Sequence, residues 1–147
     1  GVLIPILSQR YQRARIISLD FAHQMCCRAA QRTSPARIIQ GDVHSLPFVN
    51  QSFDAVICYN SFPHFAKKQL ALENFKRVLI RSGSLLILHD ISRERVNEIH
   101  ANAQASVIHQ DLLPKAMALT ECLKNLGFSL RFSEDTGEHY LIYAKRP

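Results

Sequence analysis

A chain of 147 residues with 47% hydrophobic and 20% charged residues has the composition of one ordinary globular domain with its own core. No apolar run approaches the roughly 20 residues that a bilayer-spanning helix needs, and no stretch has the features of a signal peptide. We therefore expect a cytoplasmic protein that does not enter a membrane.

The net charge of +6 is concentrated at the start of the chain, where residues 1–40 contain six Arg and one Asp. This basic segment has no RNP-like motif and no Gly-Arg repeats, so a solvated basic surface is favoured over nucleic-acid binding. The four Cys include no CxxC pair, and the seven His show no HxxxH or HxH spacing. We expect reduced thiols and no metal site.

The first part of the chain predicts helices and strands in alternation. The expected elements are a helix at 2–12, a strand at 15–20, a helix at 22–32 stopped by Ser34-Pro35, a strand at 36–40 and a short helical turn around 44–47. The next apolar run, Phe53 to Tyr59, is rich in β-branched and aromatic residues. Such a run is typical of a strand buried in a parallel sheet.

The second part continues the alternation and closes with a hairpin. The expected elements are a helix at 67–80 capped by a left-handed Gly83, a strand at 85–89 and a polar helical segment at 92–104. Asp111-Leu112-Leu113-Pro114 then leads into a helix to Leu126 that Gly127 caps, followed by strands at 129–133 and 139–145 joined at Thr136-Gly137. This order predicts an α/β fold with a mostly parallel sheet, helices on both faces and an antiparallel C-terminal hairpin.

Polar residues follow the two central strands. Asp42 comes after the strand at 36–40, and Tyr59, Asn60 and Ser61 come at the end of the strand at 53–59. Parallel strands present ligand groups at their carboxyl ends, so this pattern favours a nucleotide site. The same residue types also start turns and cap helices, as Asp20 would before 22–32, and both interpretations stay open.

Four motifs in order carry a resemblance to a known family. They are Asp20-Phe21-Ala22-His23-Gln24-Met25, Gly41-Asp42-Val43-His44-Ser45-Leu46-Pro47-Phe48, Phe53-Asp54-Ala55-Val56 and Arg77-Val78-Leu79-Ile80-Arg81-Ser82-Gly83-Ser84-Leu85. With them the chain resembles the class I S-adenosylmethionine-dependent methyltransferases of type 11, which have a Rossmann-like sheet. The family's first strand and most of its glycine-rich loop are missing. We therefore expect a single domain over 1–147 that is incomplete at its N-terminus.

The resemblance implies S-adenosyl-L-methionine as the cofactor and assigns residues to it. The implied contacts are Gly1 with the methionine part, Asp20 with the ribose hydroxyls, Asp42 and the Val43 N–H with the adenine edge, Phe21 and Val43 with the adenine faces, and Tyr59 and Asn60 with the sulfonium end. His64 sits where family members place an acceptor-side residue and would accept a proton there. An ordinary surface histidine is the alternative.

Three functions fit these observations. The first is methyl transfer to a small-molecule acceptor by in-line displacement, which needs alignment and water exclusion but no triad or metal. The second is a non-catalytic fragment or remnant of the fold that acts as an interaction domain. The third, an NAD-dependent dehydrogenase, is disfavoured because GxGxxG is missing.

The missing strand predicts weak or no cofactor binding by the 147-residue chain alone. The strands at 15–20 and 53–59 would lack their shared neighbour, and unpaired strand edges recruit new partners. The two strands would then pair directly, or a homodimer would complete both sheets.

Overall fold

A computed structural model describes residues 1–32, 37–102 and 111–147, and its elements follow the predicted order. They fall into two compact units, Gly1–Pro47 and Phe48–Pro147. The first contains α1 (Leu3–Arg10), β1 (Ile17–Asp20), α2 (His23–Arg32) and β2 (Arg37–Gln40). The second contains β3 (Phe53–Tyr59), α3 (Lys68–Val78), β4 (Leu79–His89), α4 (Arg93–Ala101), α5 (Ala116–Asn125), β5 (Ser129–Asp135) and β6 (Tyr140–Lys145).

In the first unit, α2 packs on a two-stranded parallel sheet. Strands β1 and β2 pair in register from Ile17 with Arg37 to Asp20 with Gln40. Cys26 is buried on the inner face of α2, and its Sγ lies 3.6 Å from the Asp20 carbonyl oxygen and 3.7 Å from that of Ile39. The helix is thereby fixed to the ends of both strands.

The second unit is built on a four-stranded sheet of order β3-β4-β6-β5. β3 and β4 are parallel, whereas β6 is antiparallel to both β4 and β5. Alternate residues of β4 and β6 are buried opposite each other, with Leu85 facing Ala144 and Ile87 facing Ile142. The apolar faces of α3 and α5 are buried as well, and they contribute Leu72, Phe75, Leu119 and Leu123 to the core.

These observations confirm the α/β class and the closing antiparallel hairpin, and they show that the strand pairing is mixed. The described strands form two sheets, and of the four strand pairings two are parallel and two antiparallel. Among the residues that the structure describes, β1 pairs only with β2 and β3 only with β4.

The prediction that Gly83 caps a helix is wrong. Helix α3 ends at Val78, the chain continues directly into β4, and the left-handed residue is Ser82, with φ 58°. The pairing of β4 with β3 jumps between Phe53 and Ala55, so β4 carries extra residues here. Gly83 is buried at this irregularity, where an added Cβ would lie 2.8 Å from the Ile80 carbonyl oxygen.

Two sequence features lie partly outside the described residues. These are the helix stop at Ser34-Pro35, with the first residue of the strand predicted at 36–40, and the end of the polar segment at 92–104. Within the described ranges, none of the helices has the length and apolar content required to cross a bilayer.

Gly83→Ala should destabilise the protein, since the new Cβ meets backbone oxygens of both Ile80 and Asp54, which cannot rotate away. We expect a loss of about 1–3 kcal/mol in the free energy of unfolding, typical of overpacking. Gly137→Ala is the matched control, because nothing lies within 4 Å of a Cβ added at that turn. Urea unfolding of both variants measures the difference, and equal stability would contradict the proposed crowding.

Candidate functional site

The first unit brings two carboxylates to the same edge of its sheet. Asp20 is the last residue of β1, and Asp42 follows β2 by two residues. The two strands run parallel with Asp20 opposite Gln40, so both acids lie at their carboxyl ends. Gly41, just before Asp42, connects the two strand ends, because its N–H donates a hydrogen bond to the Asp20 carbonyl oxygen at 3.0 Å.

Asp20 performs the turn role that the sequence also allowed. Its Oδ1 accepts a hydrogen bond from the Ala22 N–H at 2.9 Å, just before α2 begins at His23. A carboxylate has about four acceptor positions, so one such bond leaves room for further donors. The turn and ligand interpretations of Asp20 are therefore compatible.

Asp42 is held by its neighbour His44. Its Oδ1 accepts from the His44 backbone N–H at 2.9 Å and lies 2.7 Å from His44 Nδ1. This starts the short 3-10 turn Val43–Ser45, in which Val43 is buried. The turn was expected around 44–47, and it fixes the orientation of the Asp42 carboxylate.

Two further residues assigned to the cofactor lie in the first unit. The Phe21 side chain is 76% exposed, unusual for a phenylalanine beside a strand end. Gly1 lies against α2, where an added Cβ would be only 2.9 Å from Ala29 Cβ. Phe21 offers a flat apolar surface directly after Asp20 in sequence, and Gly1 allows close backbone packing.

The second unit has a polar cluster at the carboxyl ends of β3 and β4. Tyr59 Oη donates to Asp90 Oδ2 at 2.7 Å, and Asn60 Nδ2 donates to Asp90 Oδ1 at 2.8 Å. The Asp90 N–H is 3.3 Å from Asn60 Oδ1. The hydrogen bonds from Tyr59 and Asn60 lower the pKa of Asp90, and the bond to Asp90 raises the pKa of Tyr59.

Asn60 takes a left-handed conformation, with φ 48°. Asn tolerates this region better than most residues. Its N–H donates to the Leu88 carbonyl oxygen at 3.0 Å, which ends the β3 and β4 pairing. The chain then turns into the 3-10 segment Phe62–His64, which was not predicted from the sequence.

His64 belongs to a second cluster, formed with α4 and the segment that follows it. Its Nδ1 lies 2.8 Å from Asp111 Oδ2, and its ring centroid lies 4.8 Å from that of His100. The His100 Nδ1 is hydrogen-bonded to the Asp111 carbonyl oxygen. Both histidines therefore contact the same aspartate, one through its side chain and one through its backbone.

Asp111 is itself held in place by α4. The Asn97 side chain donates to the Leu113 carbonyl oxygen at 3.1 Å and accepts from the Leu113 N–H at 2.8 Å. This two-way bond, together with His100, fixes the segment from Asp111 to Leu113 against the helix. Two residues of α4, Asn97 and His100, thus hold Asp111 beside His64.

The two clusters border one cavity of about 170 Å³ in the second unit. Its walls come from the ends of β3 and β4, the turn at 62–64 and helix α4. The described lining residues are Asn60, Pro63, His64, His89, Asp90, Ile91, Val96, Ile99 and His100. Three imidazoles and two polar groups share this small space with aliphatic side chains.

His89 is the most buried of the three histidines. It is 3% exposed, and its Nε2 has no hydrogen-bond partner among the described residues. Its pKa is lowered to about 4, mainly by burial; the charge of Asp90 opposes this shift, and His64 and His100 add to it. The ring is therefore neutral at pH 7.

Sequence reasoning singled out His64, Tyr59 and Asn60 but not Asp90, Asp111, His89 or His100 as site residues. Asp90 ends a strand next to 53–59, the same signal that drew attention to Asp42. Asp111, by contrast, reaches His64 from 47 residues away, and no local pattern predicts that contact. Among the described residues, no group of three or more His, Cys, Asp or Glu is arranged to hold a metal.

Comparison with known proteins now identifies the family. The methyltransferase-domain family matches residues 1–87, more than half of the chain. The chain belongs to this family. Its membership bears out the resemblance to class I S-adenosylmethionine-dependent methyltransferases.

Individual relatives agree. Demethylmenaquinone methyltransferases from Thermotoga maritima and Thermus thermophilus are each 34% identical, over 88 and 92 residues. Each match covers 60% of this chain but only 38% and 42% of those proteins. The chain thus spans about two fifths of the curated relatives. An S-adenosylmethionine-dependent methyltransferase from Aquifex aeolicus has the same fold, with TM-score 0.77 and 15% identity over 97% of this chain and 75% of that one.

The residues of each unit fit the chemistry of the cofactor that the family uses. In the first unit, two carboxylates at strand ends can accept hydrogen bonds from ribose hydroxyls and an adenine amino group. Exposed Phe21 can contact a base by its face. In the second unit, Asp90 provides an anionic group beside Tyr59 and Asn60, which suits a positively charged end.

The low pKa of His89 predicts that acid destabilises the protein. Below pH 6.5 the unfolded chain binds a proton at this side chain that the folded protein does not bind. The free energy of unfolding should therefore decrease between pH 6.5 and about 4 by roughly 2–4 kcal/mol. Below that range both states are protonated, and this contribution stays constant.

Urea unfolding at several pH values measures this decrease. His89→Phe should remove most of it, whereas His23→Phe, a change of an exposed histidine, should keep it. The same pH dependence in wild type and His89→Phe would show that another group is responsible.

Proposed function

We propose that this protein transfers a methyl group from S-adenosyl-L-methionine to a small-molecule acceptor. The observation that carries the proposal is the position of polar side chains at the carboxyl ends of both parallel strand pairs. Asp20 and Asp42 end one pair, and Tyr59, Asn60 and Asp90 end the other. In α/β sheets of this kind, ligands bind at that edge.

In this proposal the first unit binds the nucleoside. Asp20 accepts hydrogen bonds from the ribose hydroxyls through positions not used by the Ala22 N–H. Asp42 and the Val43 N–H bind the adenine edge, and Phe21 and Val43 contact its faces. Gly1 lies near the methionine part of the cofactor. The support for these roles is the strand-end geometry of the first unit and its place in the matched region.

The second unit would hold the reacting end. The bound cofactor supplies an activated methyl group on a positively charged sulfur, so the protein needs mainly to align the acceptor and exclude water. Tyr59 and Asn60 lie beside the Asp90 carboxylate, whose charge favours a cation. His64 accepts the proton that the acceptor loses, and Asp111 provides it with a hydrogen-bonded carboxylate.

The acceptor is proposed to be a small molecule because the relatives are named for one. Both bacterial relatives are demethylmenaquinone methyltransferases. A cavity of about 170 Å³ also suits one ring or a short chain better than a macromolecule. No observation specifically favours a non-catalytic interaction domain.

Substitution of Asp20 tests the nucleoside site. Asp20→Asn keeps an oxygen for the Ala22 N–H but loses the charge, whereas Asp20→Ala loses both. In the version of the protein extended upstream, both variants, and Asp42→Ala, should weaken binding of S-adenosylhomocysteine by roughly 10- to 150-fold, the effect of losing a charged hydrogen bond. Glu121→Gln, an exposed change on α5, is the control. Calorimetry that gives wild-type affinity for all variants would place the nucleoside elsewhere.

The same titration tests whether the chain binds the cofactor alone. We expect weak or no binding by the 147-residue chain and tight binding by a version extended upstream with a glycine-rich strand. The glycine-rich loop after such a strand lets the backbone approach the ligand closely and presents a helix N-terminus to it. A homodimer that completes the sheets would restore binding in the shorter chain, and ultracentrifugation detects it. Micromolar binding by a monomer of 147 residues would contradict this expectation.

A further inference from the structure

The cavity of the second unit points to the chemistry of the methyl acceptor. We propose that it binds a small planar molecule with an acidic hydroxyl group, such as a phenol or enol, and that Asp111 positions His64 to take the hydroxyl proton. This inference rests on the proposed methyl transfer and adds the acceptor class and a positioning residue.

The first step of the argument concerns the tautomer of His64. A carboxylate only accepts hydrogen bonds, so the contact of 2.8 Å between Asp111 Oδ2 and Nδ1 requires a proton on that nitrogen. In the neutral ring Nε2 then carries the lone pair. The same reasoning applies to His100, whose Nδ1 must donate to the Asp111 carbonyl oxygen. One residue therefore sets the tautomer of two imidazoles that border the cavity.

The second step concerns the rigidity of this arrangement. Asp111 could not orient His64 if its own segment were loosely held. Asn97 bonds Leu113 in both directions, and the His100 ring lies against the His64 ring. On the other side, Lys68 Nζ donates to the carbonyl oxygens of Pro63 and Phe65, which flank His64. Both partners of the pair are thus anchored.

The third step concerns the ligand. The described walls combine flat imidazoles with the aliphatic side chains of Ile91, Val96 and Ile99. His89 lines the same cavity, and its buried Nε2 has no partner among the described residues. Buried polar atoms are normally hydrogen-bonded, so this nitrogen indicates a polar group on the ligand. A ring with a polar substituent satisfies both the apolar walls and the imidazoles.

The fourth step concerns the proton. During transfer the acceptor oxygen forms a bond to the methyl carbon, the carbon–sulfur bond breaks, and its electron pair stays on sulfur. The hydroxyl proton passes to His64 Nε2 and from there to solvent. Imidazoles and phenols differ in pKa by only about 3.5 units, so this transfer is accessible. An aliphatic alcohol is a far weaker acid, which is why the acceptor is an acidic hydroxyl.

The orientation of His64 can be measured without cofactor. Long-range proton–nitrogen NMR correlation of the histidine rings reports which nitrogen carries the proton. We expect the Nδ1–H tautomer for His64 in the wild type and a shift toward the Nε2–H form in Asp111→Ala. A merely structural role of Asp111 would leave the tautomer unchanged. Wild-type His64 in the Nε2–H form, or no change in Asp111→Ala, would overturn the positioning role.

Ligand class is tested by titration of the same labelled protein with phenol, benzene and aniline. Phenol should shift the ring signals of His64, His89 and His100, and benzene should bind at least about tenfold more weakly, the effect of one lost hydrogen bond. His89→Phe should reduce phenol binding. Equal binding of benzene or aniline, or no binding of phenol, would overturn the acceptor class.

The proposed function and this inference can fail separately. If the version extended upstream does not bind S-adenosylhomocysteine, the proposed methyltransferase function fails, whatever the state of His64. A protein that binds S-adenosylhomocysteine but shows no phenol binding remains a methyltransferase with a different acceptor.

Discussion

The parallel pairing of β3 with β4 is the constraint on which the second unit depends. Both strands end at the same edge of the sheet, where Tyr59 pairs with Leu88 and Asn60 lies beside Asp90. The mutual bonds between those two residues hold the strand ends together. The residues around the cavity lie at this edge or in the segments that follow it, since the turn at 62–64 comes after β3 and helix α4 comes after β4.

Along this edge the charged group is exposed and the buried group is neutral. Asp90 is exposed and receives two donors, which stabilise its anionic form. One residue earlier, His89 points into the core from β4 and stays neutral. Asp90 follows His89, the last residue of β4, so an anionic and a neutral group are neighbours at the border of the same cavity.

The order of the described α-helices and strands could be predicted from apolar runs and periodicity, because most of these elements contain buried residues. Gly83 shows where that reasoning fails. Ser82-Gly83 after an amphipathic segment resembles a helix end, but the glycine is required because backbone oxygens of Ile80 and Asp54 approach it. Such crowding depends on a neighbouring strand and leaves no local sequence signal. The division of the described strands into two sheets likewise depends on which strand edges pair, and this leaves no local sequence signal.

The site divides in the same way. The strand-end positions of Asp42, Tyr59 and Asn60 were predictable from the alternation of elements. The contact between Asp111 and His64 was not, since it joins residues 47 positions apart in the chain. Asn97 and His100 of α4 hold the segment from Asp111 to Leu113 in place. The residues that we propose to bind the cofactor therefore have local sequence signals, whereas those that we propose to select the acceptor are brought together by tertiary packing.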